Sequence, residues 1–128
     1  MRILLDTCEF LWFISGDSRL PVTTKQAIQN ADNEIYLSVV SLWEITVKHS
    51  IGRLPLPQPP ATYIPLQRDK HGIQSLSLEE TSVQRLATLP AIHRDPFDRM
   101  LVCQAQAHNL QMASSDPLIK QYSVVLLT

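Results

Sequence analysis

The sequence has few glycines and cysteines and no long hydrophobic run. Only three glycines occur in 128 residues, and none forms a phosphate-cradling loop, so a nucleotide cofactor is not predicted. The two cysteines, Cys8 and Cys103, lack C-x-x-C spacing, which favours reduced thiols. No apolar run approaches the roughly 20 residues that cross a bilayer, and the first residues lack a signal-peptide pattern. A cytoplasmic protein without a membrane segment is therefore expected.

The sequence also lacks an excess of positive charge. The formal net charge is -1, so contact with RNA or DNA is expected to depend on local basic residues or on metal ions. No G-x-S-x-G occurs, which argues against a serine hydrolase. A zinc site is not predicted either, because the histidines show no H-E-x-x-H or Cys/His spacing. These histidines are His49, His71, His93 and His108.

What the sequence does contain is an alternation of short apolar strands and helices in a 45% hydrophobic chain. Strands are predicted at residues 2–5, 35–38, 73–76, 111–114 and 124–127. Helices are predicted at residues 7–14, 21–31, 41–50, 62–70 and 78–89, and a further one begins at Pro96. This pattern is typical of a parallel sheet that is covered on both faces. We expect a single α/β domain over residues 1–128, a three-layer α/β/α sandwich with a mainly parallel sheet of four or five strands.

Acidic residues follow the predicted strands. Asp6 ends the first strand, and Asp116 follows the fourth. Glu44 lies near the start of the helix after the second strand, and Asp98 lies in the first turn of a helix that Asp95 and Pro96 begin. Because parallel strands have their carboxyl ends at one edge of the sheet, Asp6, Glu44, Asp98 and Asp116 are expected at that edge.

Each of these acids also has a purely structural interpretation. Ser41 and Glu44 have the spacing of a capping box, in which Ser41 caps the helix and Glu44 reaches back to its backbone. Asp6, Asp95 and Asp116 could be helix N-caps, and a first-turn acid such as Asp98 suits the helix dipole. Taken singly, each structural interpretation is sufficient.

Taken together, the four acids predict a cation. Converging carboxylates repel one another, so a fold has little reason to gather them without a positive charge among them. Oxygen ligands of this kind suit hard divalent ions, chiefly Mg²⁺, with Mn²⁺ as the alternative.

Four segments of the sequence resemble a known family. They are LLDT (residues 4–7), SLWEITVK (41–48), HRDPFDRMLVCQA (93–105) and SSD (114–116). In type, order and spacing they are similar to the PIN domain, and within it to the VapC-type toxin ribonucleases of bacterial type II toxin–antitoxin systems. The resemblance spans nearly the whole chain. One departure is Cys8, where close relatives often have histidine.

The resemblance implies a Mg²⁺-dependent endoribonuclease that hydrolyses RNA with a metal-activated water. It implies metal ligands at Asp6, Glu44, Asp98 and Asp116, with Asp98 preferred over Asp95 for its separation from Asp116. It also implies a supporting hydroxyl at Ser114, a homodimer, and an antitoxin whose C-terminal segment covers the acidic site. Further supporting candidates are Thr7, Asp95, Arg99 and Lys48. With Arg94, the two basic residues could hold phosphates or pair with the same acids.

Two rival functions remain open from the residues. One is a PIN-like module that binds RNA or a protein without turnover. The other is a phosphatase with an aspartyl nucleophile, which LLDT superficially suits. The phosphatase is the weaker rival, because residues 6–8 lack the second acid of a D-x-D pair and no lysine follows the last strand.

Overall fold

The computed structural model describes residues 1–127. Its strands are β1 (Arg2–Leu5), β2 (Glu34–Ser38), β3 (Gln74–Leu76) and β4 (Gln111–Ala113). Its α-helices are α1 (Thr7–Ser15), α2 (Val22–Gln29), α3 (Val39–Ser50), α4 (Pro60–Lys70), α5 (Glu80–Gln84) and α6 (Pro96–His108). Short 3-10 helices lie at Arg85–Ala87 and Ile119–Gln121.

The strands form one parallel sheet with the order β3-β2-β1-β4. Strand β1 is interior, and Ile3 pairs with Ile35 of β2 on one side and with Gln111 of β4 on the other. The predicted fifth strand at residues 124–127 is reduced to a single parallel bridge between Leu126 and Met112. Strand β4 is only three residues long. Its Met112 donates a backbone hydrogen bond to the Val125 carbonyl and accepts one from the Leu127 N–H.

Successive side chains of β1 enter apolar clusters on opposite faces of the sheet. Leu4 packs with Met112 and with Leu101 of α6, whereas Ile3 and Leu5 pack in a second cluster. That second cluster includes Phe10 of α1, Ile28 of α2, Ile45 of α3 and Ile64 of α4. Full burial of one such side chain stabilises the fold by roughly 1.5–3 kcal/mol. Helices therefore cover both faces of the sheet, which confirms the predicted three-layer α/β/α sandwich.

Helix α3 begins earlier than the sequence predicted. Ser38 ends β2 and caps the helix, since its Oγ accepts a hydrogen bond from the backbone N–H of Val40 at 3.0 Å. The strand runs directly into the helix, which starts at Val39. The prediction of a capping box at Ser41 and Glu44 is therefore wrong. Both residues lie inside α3, and neither side chain contacts the unpaired backbone N–H groups of its first turn.

A buried hydrogen-bond chain joins α6 to the ends of β2 and β3. The side chain of Gln104 is fully buried, and its Oε1 accepts a hydrogen bond from the Ser38 hydroxyl. Its amide donates to the carbonyl of Ser77, just beyond β3, at 3.2 Å. Because a buried amide without partners costs about 1–3 kcal/mol, these bonds fix the position of α6 against the carboxyl edge of the sheet.

Other element boundaries differ modestly from the prediction. The helix predicted at residues 78–89 is shorter, with α5 ending at Gln84 and continuing as a 3-10 turn to Ala87. The helix predicted at 62–70 starts at Pro60, and its internal Pro65 is accommodated. Within residues 1–127, every helix falls short of the length and hydropathy that a membrane crossing requires.

Candidate active site

Strand β1 delivers Asp6 to the carboxyl edge of the sheet, next to the end of β4. The backbone N–H of Asp6 donates to the Ala113 carbonyl at 3.0 Å, which extends the strand pairing by one residue. Asp6 Oδ1 accepts a hydrogen bond from the Thr7 N–H at 2.8 Å, so Asp6 caps α1. Its Oδ2 accepts one from the Ser114 hydroxyl at 2.7 Å. The capping interpretation of Asp6 is thus confirmed, and it coexists with a place among the other acids.

Glu44 reaches the same region from the second turn of α3. Its Oε1 accepts a hydrogen bond from Thr7 Oγ1 at 2.8 Å, and that hydroxyl also lies 2.9 Å from Ser41 Oγ. The ammonium of Lys48, one turn further along α3, pairs with Glu44 Oε2. The carboxylate is 4% exposed, so these contacts fix both of its oxygens.

Asp95 caps helix α6, so the Asp98 carboxylate is not needed for capping. Asp95 Oδ1 accepts hydrogen bonds from the backbone N–H groups of Phe97 at 2.8 Å and Asp98 at 3.4 Å, and Pro96 occupies the first turn. The N-cap interpretation of Asp95 is therefore confirmed. The Asp98 carboxylate caps no helix, and it is this acid rather than Asp95 that approaches Asp116.

Sequence reasoning missed His93, which lies between two of the predicted acids. Its Nε2 is 2.7 Å from Asp116 Oδ2 and 3.1 Å from Asp98 Oδ2. Burial lowers the pKa of His93, but the hydrogen bond that its ring donates to Asp116 and the charges of Asp98, Asp116 and Asp95 together raise it to a larger extent. Because His93 lies in a loop before α6, no helical or strand periodicity could have placed its ring there.

A further acid, Glu9, was also missed. It is 1% exposed, and its oxygens accept hydrogen bonds from the backbone N–H and the hydroxyl of Ser115, each at 3.3 Å. Glu9 follows Asp6 by three residues on α1, and residues at that spacing lie on one face of a helix. The spacing alone could therefore have identified it.

The acids described above line one cavity of about 240 Å³ at the carboxyl edge of the sheet. Thr7, Cys8, Trp12 and Ser115 also line it, and the rest of its lining carries charged side chains. The acids are Asp6, Glu9, Glu44, Asp95, Asp98 and Asp116, and Lys48 is the one basic residue among the described residues that line it. The sheet therefore collects carboxylates at one point, as the strand ends predicted.

Burial, and to a lesser extent the charge of neighbouring acids, raises the pKa values of three carboxyl groups in the cavity. Burial, followed by the charges of Asp6, Asp95 and Glu44, raises the pKa of Asp98 to about 7. Burial and the charge of Asp6 raise the pKa of Glu9 to about 7. Burial also raises the pKa of Asp6, against the opposing effect of its hydrogen bonds. A cation in the cavity would favour the ionised form of each group.

The basic candidates differ in their positions. Lys48 lines the cavity and pairs with Glu44, whereas Arg99 is not among the residues that line it. Arg99 donates to the carbonyls of residues 89, 90 and 93 and contacts the Tyr122 hydroxyl at 3.4 Å. It holds the loop before α6, so a phosphate contact by Arg99 finds no support in its position. Arg94 is exposed in that loop.

The donor set of the cavity fits a hard divalent ion, because carboxylate oxygens dominate it. The tightest group in the described part of the chain is Asp98, Asp116 and His93, with one donor atom from each within 4.8 Å of the others. Asp6 and Glu44 line the same cavity but lie outside that group. A single ion held by all four predicted acids would require some of them to move or to act through water.

The family model of the PIN domain matches residues 3–125. Among curated proteins, Ribonuclease VapC16 of Mycobacterium tuberculosis is 38% identical over 56 residues, which cover 44% of this chain and 40% of that protein. The chain thus aligns with about two fifths of that relative's length.

Two solved structures share the fold at low sequence identity. VapBC2 from Rickettsia felis, bound to a DNA fragment from its promoter, has a TM-score of 0.65 at 14% identity, covering 100% of this chain and 98% of that one. A toxin–antitoxin complex from Klebsiella pneumoniae has a TM-score of 0.57 at 16% identity, covering 89% and 86%. With the family match over almost the full length, the sheet order and the acids at its carboxyl edge, the chain belongs to the PIN domain family.

Proposed function

We propose that this protein is a Mg²⁺-dependent endoribonuclease, the toxin of a toxin–antitoxin module, that hydrolyses RNA phosphodiester bonds. The observation that carries the proposal is the single cavity in which Asp6, Glu44, Asp98 and Asp116 meet. The similarity to a curated ribonuclease supports the reaction class. Mn²⁺ is the natural substitute, since it accepts the same oxygen ligands.

The residues divide into ligands and supports. Asp6, Glu44, Asp98 and Asp116 hold Mg²⁺ in this proposal, and the ion when bound activates water and neutralises phosphate charge. Ser114 fixes one oxygen of Asp6. Thr7 and Lys48 fix the two oxygens of Glu44.

The remaining step concerns a proton. Hydrolysis requires a base that accepts a proton from the attacking water, and an ionised carboxylate within reach of that water is suited to the role. Asp98 and Asp6 both line the cavity, and a bound cation would keep them ionised. Either one can receive the proton.

A cleavage assay tests the proposal directly. Purified protein is incubated with a panel of structured RNAs and with single-stranded DNA, in EDTA, in Mg²⁺ and in Mn²⁺, and the cut positions are mapped. Metal-dependent internal cuts in RNA are expected. Binding of RNA without cleavage under any metal condition would favour the non-catalytic PIN-like module instead.

We also propose an antitoxin partner that closes the acidic cavity. One structural neighbour is a toxin–antitoxin complex, and another is VapBC2 bound to promoter DNA. An arginine inserted among the carboxylates would compete with the metal and pair with them bidentately. Co-expression with the adjacent gene and affinity capture of this protein should recover a small partner that blocks RNA cleavage. Recovery of this chain alone, with undiminished cleavage, contradicts the proposal.

We propose a homodimer whose interface is an exposed apolar stripe along α3. Val39, Trp43 and Val47 are spaced by four residues and are 37%, 57% and 38% exposed, and Ile51 continues the stripe at 60%. The Trp43 ring packs edge-on against Phe97 with centroids 4.8 Å apart, which holds it in place. Apolar side chains at this spacing form one face of a helix, a common form of interface.

Trp43→Ser is expected to weaken the homodimer at least about tenfold, because tryptophan is enriched among the few interface residues whose truncation costs about 2 kcal/mol or more. Sedimentation equilibrium measures the dissociation constant. Val22→Ser is the matched control, since Val22 is 68% exposed on α2. Equal dissociation constants for Trp43→Ser and wild type would place the interface elsewhere, and a monomeric wild type would remove the dimer altogether.

A further inference from the structure

The imidazole of His93 is held in one orientation between two proposed metal ligands. Its Nε2 approaches Asp116 Oδ2 at 2.7 Å and Asp98 Oδ2 at 3.1 Å. On the other side of the ring, the backbone N–H of Asp95 donates to Nδ1 at 3.1 Å. The backbone N–H of His93 donates to the Tyr122 hydroxyl at 2.7 Å. The side chain is 12% exposed, so it has little freedom to turn.

The Asp95 contact fixes which ring nitrogen carries the proton. A nitrogen that accepts a hydrogen bond has a free lone pair, so Nδ1 of the neutral ring is unprotonated and the hydrogen lies on Nε2. The two carboxylate oxygens are acceptors, which agrees with an Nε2–H that points at them. Ligation of a metal through Nε2 would need the opposite tautomer, with a hydrogen on Nδ1 facing the Asp95 N–H.

We propose that His93 is a positioning residue that competes with the metal ion. Its Nε2–H holds the carboxylates of Asp98 and Asp116 together in the place of a cation, and it gives way when a divalent ion binds them. His93 is therefore not itself a ligand of that ion. This inference rests on the proposed function, because it takes Asp98 and Asp116 as metal ligands.

Two substitutions separate a competing donor from a ligand. His93→Ala removes the donor, so Asp98 and Asp116 repel each other without compensation and gain more from a cation. His93→Gln retains an N–H donor at a similar distance from the backbone, although its amide oxygen can also reach a metal. If His93 competes, glutamine behaves like histidine and alanine binds the metal more tightly than either. If His93 is a ligand, alanine binds the metal more weakly than histidine.

Calorimetric titration with Mn²⁺, repeated with Mg²⁺, measures the effect independently of RNA cleavage. His93→Ala is expected to bind Mn²⁺ about tenfold more tightly than wild type, because a hydrogen bond to a charged group contributes about that factor. His93→Gln should bind within about threefold of wild type. In EDTA, thermal melting should show His93→Ala less stable than either.

Control variants distinguish a failure of the His93 inference from a failure of the proposed metal site. His71→Gln changes a histidine that packs on Phe13 outside the cavity and should leave Mn²⁺ affinity unchanged. Weaker or unchanged binding in His93→Ala, with tight binding by wild type, would overturn the competition and leave the proposed function intact. If Asp116→Asn binds Mn²⁺ as wild type does, or if no variant binds it, the metal site itself is wrong and the inference falls with it.

Discussion

Asp6→Asn is expected to reduce RNA cleavage at least about a hundredfold while the protein stays folded. The substitution removes a formal charge from the proposed ligand set, and a bound ion contributes several kcal/mol to the stabilisation of phosphoryl-transfer transition states. The helix cap survives, because asparagine caps as well as aspartate and its Oδ1 can still accept from the Thr7 N–H. Its amide can donate to the Ser114 hydroxyl.

Stability should respond in the opposite direction. Burial raises the pKa of Asp6, and the charges of Glu44 and Asp116 raise it further, so the ionised group is a cost in EDTA. The variant should therefore melt at the wild-type temperature or above it in EDTA. Added Mg²⁺ should stabilise wild type by mass action and the variant much less.

The matched control is Asp32→Asn, which removes the same charge at an exposed position outside the cavity. It should cleave RNA and respond to Mg²⁺ as wild type does. A variant at Asp6 that does the same would show that Asp6 is a helix cap and no part of a metal site.

Glu9→Gln is expected to flatten the pH dependence of folding in EDTA. The pKa of Glu9 is raised from 4.5 to about 7 in the folded protein. Between those values the folded protein keeps a proton that the unfolded chain has released, so the free energy of unfolding falls as pH rises. For Glu9 alone the loss amounts to about 3 kcal/mol by pH 8. Glutamine carries no such proton and avoids the loss.

Urea unfolding at pH 5 and pH 8 measures the difference. The decline in the free energy of unfolding should be smaller for Glu9→Gln than for wild type, by up to about 3 kcal/mol. Some decline should remain, because Asp98 has a raised pKa of the same kind. Glu80→Gln, on exposed α5, should retain the wild-type decline. An equal decline in Glu9→Gln would show that Glu9 is ionised throughout this range.

The sheet and the edge at which the acids meet could be predicted because both follow from local pattern. Short apolar runs identified the strands, and an acid directly after a strand must lie at its carboxyl end. Asp6 and Asp116 follow from that rule, and Asp98 follows from the helix start that Asp95 and Pro96 mark. The start of α3 could not be predicted, because Ser38 is at once the last strand residue and the helix cap. Because Ser38 caps the helix, the predicted capping box at Ser41 does not form.

The finer contacts of the site depend on loops, where sequence spacing has no fixed geometric meaning. His93 reaches two acids only because the loop before α6 folds back over them, and Arg99 is held by carbonyls of that same loop. Neither contact has a periodicity that predicts it. Glu9 differs, since it follows Asp6 by three residues and this helical spacing alone predicts that the two side chains share one face of α1.

The pairing of β1 with β4 has a consequence for the order in which the molecule is made. The hydrogen bond between Ser114 and Asp6 joins residues 108 positions apart, and contacts between such distant residues slow folding because a long loop must close first. The acidic cavity therefore cannot close around an ion until residues 1–116 have been synthesised. If the protein is the proposed nuclease, a nascent chain that ends before Ser114 and Asp116 cannot cleave RNA. Chains stalled on the ribosome at residue 109, assayed for RNA cleavage with Mg²⁺, should be inactive; activity there would refute this.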